Sequence, residues 1–233
     1  MSFIDLKNIE REYHVGDSII KAVNGVSFEI EKGSFNVILG QSGAGKTTIL
    51  NMLGGMDSPT RGTILVGDTE ISQMNEKELT TYRRHKIGFV FQFYNLVPNL
   101  TALENVQLAR EICKDPLDAA EMLDRVGLGA RKNNFPSQMS GGEQQRVSIA
   151  RALAKNPDII LCDEPTGALD SGTGRIVLKL IRDVAQEMGK TVIIVTHNAP
   201  IADMAKQVIH MKDGKVYEIK RNDAPKDVEE IVW

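Results

Sequence analysis

The sequence predicts an α/β fold with a mainly parallel sheet, an antiparallel β portion and an inserted helical lobe, and three observations carry that prediction. Runs such as "DIILC" (158–162) and "TVIIV" (191–195) are continuously apolar, the pattern of strands covered on both faces by helices. The N-terminal "MSFIDLKNIEREY" and "KVYEI" (215–219) instead alternate polar with apolar residues, as antiparallel strands with one wet face do. Between about residues 93 and 155 the strand signals stop and helical spacing takes over.

Taken in order, the strand signals are "VSFEI" (26–30), "FNVIL" (35–39), "GTILV" (62–66), "IGFVF" (87–91), "DIILC", "TVIIV" and "QVIHM" (207–211). The helical signals of the lobe are "TALENVQLAREI", "DAAEMLDRVGL" and "EQQRVSIARALA". With no repeat or flexible linker in between, residues 1–233 are expected to form a single domain with the lobe inside it. The stretch from Asn222 to Trp233 is polar and expected on the surface, with no role for Trp233.

Composition narrows the function. The chain has 233 residues, 42% of them hydrophobic, which supports an ordinary packed core. A net charge of -3 argues against nucleic acid as a partner, because that affinity comes from clustered Lys and Arg. Cys113 and Cys162 lack metal-type spacing and fit a reduced, cytoplasmic setting. No stretch approaches the roughly 18 apolar residues of a bilayer span, so direct membrane insertion is not expected.

"GQSGAGKTT" (40–48) follows the apolar run "FNVIL" and precedes the helix-compatible "TTILNMLGG". Gly40, Gly45, Lys46 and Thr47 fit the phosphate-loop pattern G-x-x-x-x-G-K-[ST] in its proper strand–loop–helix context, which predicts a P-loop NTPase core. Glycines let successive backbone N–H groups point into one concavity, and the following helix adds its positive end. The nucleotide-binding candidates here are Gly40, Ser42, Gly43, Ala44, Gly45, Lys46, Thr47 and Thr48, with the Thr47 hydroxyl directed to Mg²⁺. In "IILCDEPTGALD" an apolar strand ends in Asp163, placed to hold the metal, and then Glu164, a candidate base that aligns water on the γ-phosphoryl group.

At "MSGGEQQRVSIARAL" (139–153) the chain resembles the signature motif of ABC-type ATPases. With the phosphate loop, "IILCDEP", "GALD" and "IVTHN", it is similar to a complete ABC nucleotide-binding domain over nearly the whole chain. The resemblance implies ATP and Mg²⁺ as ligands, and a head-to-tail homodimer in which Ser140, Gly141 and Gly142 of one subunit face the phosphate loop of the other. It also implies that Asp170 lies in a loop crossing that interface, that His197 reaches the γ-phosphate, and that Tyr13 stacks on adenine. Gln92 is implied as a catalytic residue and as a metal ligand beside Thr47 and Asp163. Three positions depart from the usual pattern: Met139 for Leu, Ala44 for Ser, and Glu143 for Gln, whose charge is expected to weaken the local anion field slightly.

"FQFYNLVPNLTALENVQL" and "PTG" after Glu164 resemble the ATPase subunits of the macrolide-exporting, lipoprotein-releasing and antimicrobial-peptide-resistance group. This implies a peripheral place on the inner face of the cell membrane and a separate permease pair, with Phe93 and Tyr94 as outward aromatics for its coupling helix. A non-transport ABC ATPase acting on a cytoplasmic assembly is the alternative, although such proteins usually carry two domains or long coiled-coil insertions. An inactive adaptor would lack Lys46, Asp163, Glu164 or His197, and all four are present.

Overall fold

The computed structural model describes residues 2–231, and Trp233 lies outside them. These residues fall into two compact units: one holds the chain up to Arg83 and again from Ile193, the other holds Arg84–Val192.

In the first unit, β1 (Ser2–Val15), β2 (Ser18–Glu31), β4 (Arg61–Val66) and β5 (Thr69–Glu70) form an antiparallel sheet in the order β2-β1-β4-β5. The inward residues of β1 are Ile4 and Leu6, then Ile9; a register shift beside Asn8, at φ 49°, moves the buried face from even to odd positions. Gly62 passes so close to that bend that a Cβ there would collide with the Asn8 carbonyl. Beside this sheet in sequence, β3 (Phe35–Leu39) pairs parallel with β9 (Gln207–Lys212), and β9 pairs antiparallel with β10 (Lys215–Arg221). The unit also holds α1 (Lys46–Leu53) and most of α2 (Glu76–Lys86). Sequence periodicity misses α2 because only Leu79 and Tyr82 on it are buried, too few for an apolar stripe.

The polar segment after Asn222 is not wholly on the surface. Val228 and Ile231 are 1% and 3% exposed, and the Lys226 amide donates to the Asp203 carbonyl. Two apolar residues three positions apart suffice to dock a single turn whose other side chains stay wet.

In the second unit, β6 (Ile87–Val90) pairs parallel with β7 (Ile159–Asp163). The lobe expected over 93–155 contains α3 (Ala102–Arg110), α4 (Ala119–Arg125) and α5 (Gly141–Ala154). Gly88 lets β6 approach α5, since a Cβ there would sit 2.9 Å from the Ala152 carbonyl oxygen. After β7 comes α6 (Ser171–Glu187), with Val177, Leu178, Ile181, Val184 and Ala185 buried along one face. β8 (Thr191–Thr196), buried at all six positions, starts in this unit and ends in the first. No helix among the described residues is long and apolar enough to cross a membrane.

Candidate active site

The phosphate loop lies between β3 and α1. Gly40 N–H donates to the Thr196 carbonyl at 3.3 Å, which brings the end of β8, and with it exposed His197, beside the loop. Gly43 and Gly45 take φ of 79° and 92°, the left-handed region that favours glycine. At Gly40 and Gly45 a side chain would also collide, with the carbonyls of Met211 and Ala22. A cavity of about 350 Å³ opens here, lined by the loop residues 40–44 with His197, Lys212, Asp213 and Tyr217.

The start of α1 is built against its own stability. Its N-cap Gly45 makes no side-chain hydrogen bond, no acidic residue occupies the first turn, and Lys46 puts a cation at the positive helix end. Every other α-helix among the described residues has a side-chain cap: Asn75, Thr101, Asp118, Ser140 and Asp170 accept from amides of their own first turns. An anion at α1 would take the place of the missing side-chain cap and remove the charge conflict together. Lys46 is 7% exposed, and its Nζ donates to the Gln41 carbonyl at 2.9 Å, a bond that phosphate oxygens can replace. Thr47 is exposed and Thr48 half-buried on the same turn.

Tyr13 stands on the β1–β2 ribbon, which passes beside the loop at Ala22. Its hydroxyl donates to Asp57 Oδ2 at 2.7 Å, and the Arg11 guanidinium covers its ring at 4.6 Å from the centroid. Arg11 is itself held by Asp57 at 2.7 Å. The ring is therefore half-buried and fixed before any base arrives.

In the second unit, Asp163 ends β7 and Glu164 follows with φ 45°, a conformation costing a non-glycine residue about 1–3 kcal/mol. Gln92 lies two residues past the end of β6, and the parallel β6–β7 register aligns Val90 with Cys162. The Gly167 N–H donates to the Glu164 carbonyl at 3.0 Å, closing a turn against the Gln92 side chain. A Cβ on Gly167 would lie 2.9 Å from Gln92 Nε2. Beneath, burial pushes the Cys162 thiol up, so it stays an inert core residue.

Ser140 caps α5 reciprocally with Glu143: Glu143 N–H donates to Ser140 Oγ at 3.3 Å and Ser140 N–H donates to Glu143 Oε2 at 2.8 Å. The Glu143 carboxylate also meets Arg131 at 3.3 Å and is held below the usual carboxylate range, first by the Ser140 backbone bond. Its charge is thus bonded at the cap and offset by Arg131. The glycines at the helix start are packed: a Cβ on Gly141 would meet the Tyr94 hydroxyl at 2.6 Å, and one on Gly142 would collide with Thr173 Cγ2. Tyr94 is accordingly half-buried, whereas Phe93 is 73% exposed, which separates two aromatics expected to point outward together. Asp170 accepts from Thr173 N–H at 3.0 Å as the cap of α6, and the Thr173 hydroxyl first, then this backbone bond, hold its carboxyl low.

Sequence reasoning did not find Arg11 and Asp57 around Tyr13, nor Lys212, Asp213 and Tyr217 at the cavity. It also missed Gln145, which donates to the carbonyls of Phe91, beside Gln92, and of Pro165, beside Glu164. Asp57 reaches Arg11 and Tyr13 from 46 and 44 positions away, and Gln145, although inside "MSGGEQQRVSIARAL", reaches Phe91 and Pro165 from 54 and 20, contacts no local pattern announces.

A family model described as ABC transporter matches residues 23–167. An ABC transporter ATP-binding protein of Thermotoga maritima is 46% identical over 223 residues, covering 94% of this chain and 95% of the relative. The macrolide export ATP-binding/permease protein MacB of Rhodopirellula baltica is 43% identical over 230 residues, 95% of this chain but 33% of that protein. Among solved structures, a dimeric post-hydrolysis state of the ATP-binding cassette MJ0796 of Methanocaldococcus jannaschii, bound to ADP and Pi, superposes with a TM-score of 0.85. It is 43% identical and covers 94% of this chain and 98% of that one.

Proposed function

From the premise that this chain belongs to the ABC transporter family, we propose that it is an ATPase subunit that closes around two ATP molecules with a second copy of itself and drives a separate membrane permease. The observation that carries the reading is α1: an uncapped helix start, armed with Lys46 and lacking any acid, at the end of a glycine-lined loop.

The chemistry follows from the residues. Backbone N–H groups from Gly43 to Thr48 receive the β- and γ-phosphates, and Lys46 exchanges the Gln41 carbonyl for phosphate oxygen. Tyr13, clamped by Asp57 and Arg11, offers its other face to adenine. Glu164 accepts a hydrogen bond from water and aligns it in line with the γ-phosphoryl group. His197, at the rim of the loop's cavity, donates to a γ-phosphate oxygen. Thr47, Gln92 and Asp163 carry hydroxyl, amide and carboxylate oxygens, a hard donor set suited to Mg²⁺, which neutralises phosphate charge when bound.

The second copy supplies Ser140, Gly141 and Gly142 at the start of its α5, another positive helix end, and Asp170 in the segment that crosses the interface. Support comes from MJ0796, a dimeric cassette bound to ADP and Pi that matches almost this whole chain. The permease assignment, and with it a place on the inner membrane face, is supported by the MacB relatives, in which ATP-binding and permease functions share one protein. Phe93 and Val97, 73% and 40% exposed, provide apolar surface for that partner.

Glu164→Gln tests the assignment. The amide keeps the shape and loses the acceptor, so phosphate release falls about a hundredfold or more while ATP binding persists. Turnover within a few-fold of wild type would move the base to another residue.

A further inference from the structure

We propose that Gln145 is a positioning residue for hydrolysis, holding Gln92 and Glu164 in fixed relation through one amide group; the inference rests on the roles given above to those two residues. Gln145 lies on α5 and is fully buried, with 0% exposure. Its Nε2 donates to the Phe91 carbonyl at 3.3 Å and to the Pro165 carbonyl at 2.9 Å. Phe91 immediately precedes Gln92, and Pro165 immediately follows Glu164. One –NH₂ group, with one proton for each carbonyl, therefore joins the two short segments that present the metal-side amide and the base.

Two further observations separate this from ordinary core packing. Gln145 Oε1 is buried with no hydrogen-bond partner among the described residues. A dry orphan acceptor is a cost that an apolar side chain of the same volume avoids, so packing alone disfavours glutamine here. The same helix grips the segment again farther along, where Arg151 donates to the Tyr94 carbonyl at 2.9 Å and to the Asn95 carbonyl. Residues 91–95 are thus pinned from α5 on both sides of exposed Phe93, while Gly167 closes over the Gln92 side chain. Fixing a base and its neighbour to within a fraction of an ångström is where a distant residue acts on rate, since a misplacement of about 1 Å costs about a hundredfold.

The test uses the full chain and steady-state ATP hydrolysis. Gln145→Met keeps the volume and removes both donors; kcat falls about ten- to a hundredfold while KM for ATP stays within about twofold. Combined with Gln92→Ala, its loss falls short of the product of the two single losses, because both act on one arrangement. Wild-type kcat in Gln145→Met, a rise in KM alone, or fully multiplicative losses would each overturn the proposal. If the Met variant does not fold, Gln145→Glu gives an independent reading. Its neutral acid can still donate one bond and its carboxylate none, so its rate relative to wild type rises as pH falls; a flat ratio contradicts the proposal. Glu164→Gln run in parallel separates the two claims. An active Glu164→Gln removes the underlying assignment and this inference with it, whereas an inactive one beside a fully active Gln145→Met removes this inference alone.

Discussion

Tyr13 has its hydroxyl on Asp57 and its ring under Arg11, an arrangement that would lower the ordering cost of the base stacking proposed for it. Tyr13→Ala is expected to weaken ATP binding by about 1–3 kcal/mol, the range for base–aromatic stacking, and Asp57→Ala by less, through the freed ring. Equilibrium titration with a fluorescent ATP analogue checks both. At Glu143 the folded protein holds the carboxyl low, so the bond it makes to the Ser140 amide stabilises fully above the ordinary glutamate range. That contribution disappears as pH falls through the lower folded value. The stability difference between wild type and Glu143→Ala in urea melts should therefore be present at neutral pH and shrink on acidification; a difference independent of pH would refute the role. Phosphate-loop chemistry was legible because its residues are contiguous. Arg11 and Asp57, 46 positions apart, and Phe91 and Gln145, 54 apart, meet only after the chain folds, and no local pattern marks these contacts.

Helices tell function from stability by how they begin. Among the described residues five α-helices close their first turns with their own side chains, whereas α1 has no side-chain cap, as the proposed phosphate site requires. α5 does both, capped by Ser140 yet opening on Gly141 and Gly142, which are small because Tyr94 and Thr173 press on them. Gly142→Ala is expected to destabilise the chain by about 1–3 kcal/mol through the clash with Thr173 Cγ2, and Thr173→Ser, which deletes that methyl, to restore part of it. Thermal melts of the single and double variants decide; no recovery would place the strain elsewhere. Buried strands such as β7 and β8 were legible as continuous apolar runs, and the lobe as a change of period. The phase change at Asn8 and the docking of Val228 and Ile231 were not, since each depends on a contact remote in sequence.

In the dimer proposed above, each chain carries half of each ATP site. Lys46→Ala removes the charge from a subunit's own loop, and Ser140→Arg blocks the α5 start it offers to its partner, at a cost of about 1 kcal/mol for the lost cap. Either change spoils both sites of a homodimer. In a heterodimer of the two, the intact loop of the Ser140→Arg chain meets the intact α5 start of the Lys46→Ala chain, so one site is whole and the other holds both defects. The decisive measurement mixes differently tagged chains with ATP and Mg²⁺, each also carrying Glu164→Gln to hold the closed state, and reads tagged heterodimer by co-purification and light scattering. The shared-site account predicts that the mixture pairs where neither variant pairs alone; a mixture that pairs no better than its components, beside Glu164→Gln chains that pair normally, contradicts it.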